Sequence, residues 1–114
     1  RLNLKPSVWG RHMWFSLYSI ALGYPHEPTQ QDKDAVQSLL QNLILLLPCE
    51  TCRINLGIEL NKNPITNEVL LNSSNLTYYI YSLQQSVSTR IGKPLYGYNE
   101  TIQMIFQHHL EDLH

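Results

Sequence analysis

Cys49 and Cys52 are the only cysteines in a chain of 114 residues, and they sit together in the run Leu47-Pro48-Cys49-Glu50-Thr51-Cys52-Arg53. A Cys-x-x-Cys pair can serve as a redox-active disulfide or as half of a zinc site. A structural zinc needs four ligands, so the other half would have to come from histidine, with His108 or His109 as the candidates. The dithiol/disulfide reading is favoured because the local setting suits redox chemistry. Pro48 fits the first turn of a helix, where its fixed φ is an advantage and its missing N–H is not needed. Cys49 would then lie near a helix N-terminus, where unpaired amides favour a thiolate. On this reading Cys49 is the exchangeable sulfur and Cys52, a turn further in, the more buried partner. Core packing of two small apolar side chains is the plain alternative, but it gives no reason for the pair to be adjacent.

The elements that must hold these thiols read as helices. The first is expected from about Ser7, as cap, to Gly23 ahead of Pro25, with Trp14, Leu17, Tyr18 and Ala21 on one face. A second follows the Tyr24–Pro28 turn, from about Thr29 to Leu46, with Val36, Leu39, Leu40, Leu43 and Leu47 as its stripe. The stretch Leu43–Leu47 is apolar on every side and is expected to be buried all round or to face a partner subunit. The cysteine helix is expected from about Cys49 to Asn61, stopped by Pro64, with a connection over Asn63–Ser73. A fourth helix fits Ser74 to Ile91, with Ser74 as cap and Gly92 as stop. A fifth is expected from a cap at Asn99 to about Leu113, with Ile102, Ile105, Phe106, His109 and Leu110 facing inward. No segment shows sustained period-two alternation, which argues against the βαβ setting of a thioredoxin-type Cys-x-x-Cys. The expected fold is all-α: a four-helix bundle with a short fifth helix, in one domain over 1–114.

Composition bounds the partners. With 43% hydrophobic and 15% charged residues and a net charge of −1, the chain is neither disordered nor basic enough to carry a nucleic-acid footprint. No apolar run approaches the ~20 residues that cross a bilayer. No signal-peptide pattern is present, although a chain starting at Arg1 leaves room for an upstream segment. A dithiol that acts repeatedly as an oxidant needs an electron sink. With no further cysteines, that sink must be a cofactor or a partner, and a flavin accepts two electrons from thiols.

Four stretches resemble the Erv/ALR sulfhydryl oxidases, in that family's order and spacing. Trp9-Gly10-Arg11-His12-Met13-Trp14, followed by Leu17, Ala21 and Tyr24-Pro25, resembles its Gly-Arg-x-x-Trp opening and Tyr-Pro turn. Leu47–Cys52 resembles its Pro-Cys-x-x-Cys centre, and Leu60–Pro64 the close of its cysteine helix. Val87 through Arg90-Ile91-Gly92-Lys93-Pro94 resembles the tail of its His-Asn-x-Val-Asn-x-x-Leu-Gly-Lys-Pro segment. The resemblance implies FAD in the mouth of the bundle, approached by Gly10, Arg11, Trp14 and Tyr18 and by Gln84, Val87, Ser88, Arg90 and Lys93. Cys52 would lie beside the flavin and Cys49 would meet the substrate. The chain departs from the pattern at Tyr18, where the family has histidine, and at Gln84, Gln85 and Ser88, where it has a histidine and two asparagines. A flavin-free module keeping the same fold is therefore the alternative.

The implied reaction is oxidation of a dithiol protein, thioredoxin-like or a viral thiol protein, with oxygen as acceptor and peroxide as product. The absence of flanking shuttle cysteines resembles the minimal versions encoded by large DNA viruses. That format implies an infected-cell cytoplasm or virion, with the mitochondrial intermembrane space as the alternative. The family also implies a homodimer, for which Leu43–Leu47 is the candidate face. No metal, nucleic acid or membrane partner is expected.

Overall fold

The computed structural model describes residues 1–111 and contains five helices and, among those residues, no strand: α1 (Pro6–Leu22), α2 (Gln30–Leu46), α3 (Glu50–Lys62), α4 (Ser73–Ile91) and α5 (Tyr98–Glu111). α1 packs along α4, α2 along α3 and α3 along α4, while α5 touches α1. Tyr18, Ala21, Leu40, Leu76, Ile80 and Leu83 form the centre of the core that these contacts enclose. None of the helices is long and apolar enough to cross a membrane.

The first four expected spans hold to within a residue, with departures at the caps, while α5 begins at Tyr98 and so takes the expected cap Asn99 into the helix. α1 begins at Pro6 and has no side-chain cap, so Ser7 lies inside the first turn. The ring of Pro6 sets the helical φ by itself. α2 starts with a reciprocal capping box, in which Asp32 N–H donates to Thr29 Oγ1 at 3.1 Å and Thr29 N–H to Asp32 Oδ2 at 2.8 Å. α4 is capped by Asn72 rather than Ser74, with Asn75 N–H donating to Asn72 Oδ1 at 2.8 Å. A Ser73 hydroxyl, freed from capping, donates instead to Ala21 O at 2.7 Å and ties α4 to the end of α1. Gly92 ends α4 in the left-handed conformation, φ 74°, a position that favours glycine because it has no Cβ to clash.

One expectation about burial is corrected, and one is narrowed to its second alternative. On α5 only Ile105 is buried; Phe106, His109 and Leu110 are exposed. This helix packs mainly on α1, with Tyr98 at its start against Tyr78 and Tyr81 of α4, so its outer face has no surface against which to bury a full stripe. Its expected end at Leu113 lies outside the described residues. In Leu43–Leu47, Leu47 is buried, but Leu45 and Leu46 are 63% and 68% exposed, so the turn is not covered all round within one chain. α2 packs chiefly on α3, and the far side of its last turn faces outward.

One ion pair is built into this frame. Glu59 on α3 is 3% exposed, and its Oε1 accepts from both Nε and Nη2 of Arg90 on α4, at 3.1 and 2.8 Å. Removing one member of a buried pair leaves an uncompensated charge. Arg90→Ala is therefore expected to destabilise the fold by about 2–3 kcal/mol, below the full range for buried pairs because water reaches the arginine. Replacing both residues by methionine should recover most of that loss, as read by urea denaturation.

Burial also pushes the Tyr79 phenol up to about 12, while its hydroxyl donates to Asn63 O at 2.6 Å. A folded-state pKa above the unfolded value of ~10 means that the protonated phenol stabilises the fold fully below that pH. The contribution is lost as pH rises from about 10 to about 12. The melting temperature should fall across that window in the parent chain and fall less steeply in Tyr79→Phe.

Candidate active site

α3 begins at the first cysteine. Pro48 lies one position before the cap, not in the first helical turn as expected, and Cys49 itself is the N-cap. Cys49 has extended backbone, and its Sγ accepts from the Cys52 N–H at 3.2 Å. A sulfur here takes the place of the usual serine or aspartate oxygen. Cys49 and Cys52 are joined as a disulfide with Cα atoms 5.1 Å apart, and both residues are half-buried. Arg53, which sequence reasoning did not single out, folds back so that its guanidinium donates to Leu47 O at 2.5 Å. It pins the turn that delivers Cys49. A basic residue directly after the second cysteine was the available signal.

The disulfide forms one wall of a cavity of about 410 Å³ at the mouth of the bundle. α1 contributes Trp9, Gly10, Arg11, Met13, Trp14 and Leu17; α2 contributes Leu40 and Leu43, with Leu47 just beyond its end. α4 contributes Leu83, Gln84, Val87, Ser88 and Ile91, which recur at helical spacing. The left-handed turn at Gly92 reverses the chain, with Lys93 N–H donating to Ser88 O at 2.9 Å, and brings Lys93, Pro94 and Tyr96 over the opening.

Of the residues expected at a cofactor, Gly10, Arg11, Trp14, Cys52, Gln84, Val87, Ser88 and Lys93 line this cavity. Tyr18 does not. It is 1% exposed and lies behind the wall, donating its hydroxyl to Gln84 Oε1 at 2.5 Å. Burial raises its phenol above the ordinary range, with minor contributions from Tyr81 and Tyr98, so it stays a donor. Its hydroxyl orients the Gln84 amide, which does line the cavity. Arg90 is placed elsewhere too. It lies on the face of α4 shared with Ser86 and Thr89, against Glu59, outside the cavity. Gln85 donates its Nε2 to Tyr96 O at 2.8 Å and so braces the loop that roofs the opening.

The cavity fits a flavin nucleotide. Its walls are predominantly aromatic and aliphatic, which suits a flat ring system, and amide and hydroxyl groups from Asn55, Gln84 and Ser88 can meet ring-edge heteroatoms. Arg11 and Lys93 are exposed at its rim and supply positive charge for phosphates. His108 and His109 stand apart from the cysteines, packed on Phe15, with His109 Nε2 2.9 Å from Ser19 Oγ. Among the described residues no three histidine, cysteine or acidic side chains gather at one point.

The profile of the Erv1 / Alr family matches residues 11–107. A protein of Acanthamoeba polyphaga mimivirus, named probable FAD-linked sulfhydryl oxidase, is 36% identical over 102 residues, covering 90% of this chain and 71% of its own length. The FAD-linked sulfhydryl oxidase ERV1 of Oryza sativa subsp. japonica is 29% identical over 87 residues, covering 76% of this chain. The chain spans 43% of that plant protein's length. Among solved structures, the FAD binding domain of Erv1 from Saccharomyces cerevisiae superposes with a TM-score of 0.76 at 23% identity. That superposition covers 84% of this chain and 89% of the yeast domain, and the two share the helical fold. With the cavity, the disulfide on its wall and a profile that spans most of its length, this chain belongs to the Erv1/Alr family.

Proposed function

We propose that the chain is an FAD-linked thiol oxidase that makes disulfide bonds in substrate proteins: 2 R–SH + O2 → R–S–S–R + H2O2. The observation that carries this reading is the disulfide set into the wall of a cavity suited to a flavin, with one sulfur at a helix N-terminus. Residues Gly10, Arg11, Trp14, Gln84, Val87, Ser88 and Lys93 would hold the cofactor. When bound, FAD supplies a two-electron acceptor for the reduced cysteines and passes those electrons to oxygen.

The protein's own part is the thiol exchange. A substrate thiolate attacks Cys49 Sγ, the Cys49–Cys52 bond breaks, and its electron pair leaves on Cys52 Sγ. The second substrate thiol, deprotonated, attacks the substrate sulfur of the mixed disulfide. Cys49 then departs as a thiolate toward the Cys52 N–H, with which its sulfur already bonds. The positive end of α3 lowers the cost of that departure. The substrate leaves as a disulfide, and the two thiol protons have gone to solvent. The cavity walls on the Cys52 side are mostly apolar.

The substrate we propose is a dithiol protein, thioredoxin-like or a viral thiol protein, whose cysteines reach Cys49 from outside the cavity. The proposed assembly is a homodimer joined through the uncovered Leu45–Leu46 turn. Sedimentation should show a dimer, and Leu46→Glu should raise the dissociation constant at least tenfold; a parent chain that sediments as a monomer sinks this part.

The decisive measurement is the visible spectrum. A flavin band should bleach when dithiol is added without oxygen and return with air, releasing one peroxide per disulfide made. Cys52→Ser should keep the band and lose turnover by at least a thousandfold. Cys49→Ser should lose turnover as severely and gain a long-wavelength absorption band from the Cys52 thiolate. Full turnover in either variant overturns the assigned roles. Colourless protein would instead leave a scaffold that has lost the cofactor through its changes at Tyr18, Gln84, Gln85 and Ser88.

A further inference from the structure

The non-helical residues ahead of α1 cross the end of α2 and the start of α3, and their hydrogen bonds bracket the disulfide. Leu4 N–H donates to the carbonyl of Pro48, directly before Cys49, at 2.6 Å. Glu50 N–H, directly after Cys49, donates to Asn3 Oδ1 at 2.9 Å. The strap is itself anchored to the cavity wall, because the Trp9 indole donates to Leu4 O at 3.0 Å. Adjacent residues of one extended segment thus hold the peptides on both sides of Cys49, across 44 and more positions of sequence.

The electrostatic consequence is specific. Glu50 N–H is the first of the unpaired amides whose field favours a thiolate at the start of α3. The Asn3 carbonyl oxygen occupies that amide and sets the negative end of its own dipole one residue from Cys49. Only the Cys52 N–H is left bonded to the sulfur.

We propose that Asn3, held by Leu4, is a positioning residue for the redox pair, which fixes the peptides beside Cys49 and keeps its thiol less acidic than the helix terminus alone would make it. The functional meaning rests on the oxidase reading. Reduction of the pair takes two electrons from substrate thiols, breaks the Cys49–Cys52 bond and leaves two protein thiols. A less acidic Cys49 favours the disulfide side of that exchange and slows its own departure. Asn3 therefore sets how strongly the pair oxidises its substrate.

The test is the pH dependence of Cys49 alkylation by iodoacetamide in the full chain carrying Cys52→Ser, which isolates one thiol. Asn3→Ala removes the acceptor and should lower the apparent pKa, raising the thiolate fraction about three- to tenfold at low pH, where a tenfold ratio is one pKa unit. Asn3→Asp keeps the acceptor and adds charge, and should raise the pKa above the parent's. A purely structural strap would lower the melting temperature of Asn3→Ala and leave the titration unmoved, which overturns the proposal, as does any other order of the three. If Asn3→Ala fails to fold, Asn3→Asp decides alone, since an unchanged or lowered pKa there is equally fatal. The titration needs no flavin. Colourless protein with the order intact sinks the oxidase reading and leaves the role of Asn3 standing, whereas an active flavoprotein with no order sinks only Asn3.

Discussion

The start of α3 is the constraint around which the other elements are arranged, because one atom there has two duties. Cys49 Sγ caps the helix by accepting from Cys52 N–H and is also half of the disulfide. A cap must be held in extended backbone just outside the helix, and a reactive sulfur must be held facing its partner. Both needs are met by immobilising the residues around it. Pro48 restricts the approach, Arg53 grips Leu47 O from within the helix, and the strap grips Pro48 O and Glu50 N–H from outside. The result is a thiol pair whose geometry is set by three separate parts of the chain.

The remaining helices place a cavity against that pair. α1 and α4 pack together along buried aliphatic and tyrosine side chains, and both contribute residues to the cavity wall. Tyr18 and Gln84 show how a change from the family's usual residues is accommodated. A buried tyrosine hydroxyl needs a partner, and a glutamine one helix away provides it at 2.5 Å. The pair keeps a polar edge on the cavity through Gln84 while filling the core with the phenol ring. Arg90 meets the opposite demand. By neutralising Glu59 it joins α3 to α4 on the side away from the cavity, so the helix that carries the cysteines is fixed to the helix that forms the facing wall.

A polar rim on an apolar slot gives the site a direction. Arg11 and Lys93 lie at the exposed edge, while Leu40, Leu56 and Leu83 close the interior, so a charged tail has its place outside and a flat ring within. Cys49 and Cys52 lie on the wall of this slot, where the proposed exchange needs them.

The amino-acid sequence by itself determined the helix spans, the Cys-x-x-Cys centre and the glycine stop at Gly92. These are local matters: a 3.6-residue period, a ring that locks φ and a position that needs a positive φ act within a few residues of chain. Caps were less legible, since Asn72, Ser73 and Ser74 all carry capping side chains and only the packing of Ser73 on α1 selected Asn72. The tertiary structure alone decided that Arg90 would pair with Glu59, 31 residues away, and that Asn3 would reach Glu50, 47 residues away. It also decided that α5 would bury one residue rather than a stripe. Periodicity states which side of a helix is apolar; which surface meets it, and which distant polar group a side chain finds, depends on how the helices pack, and no local signal carries that.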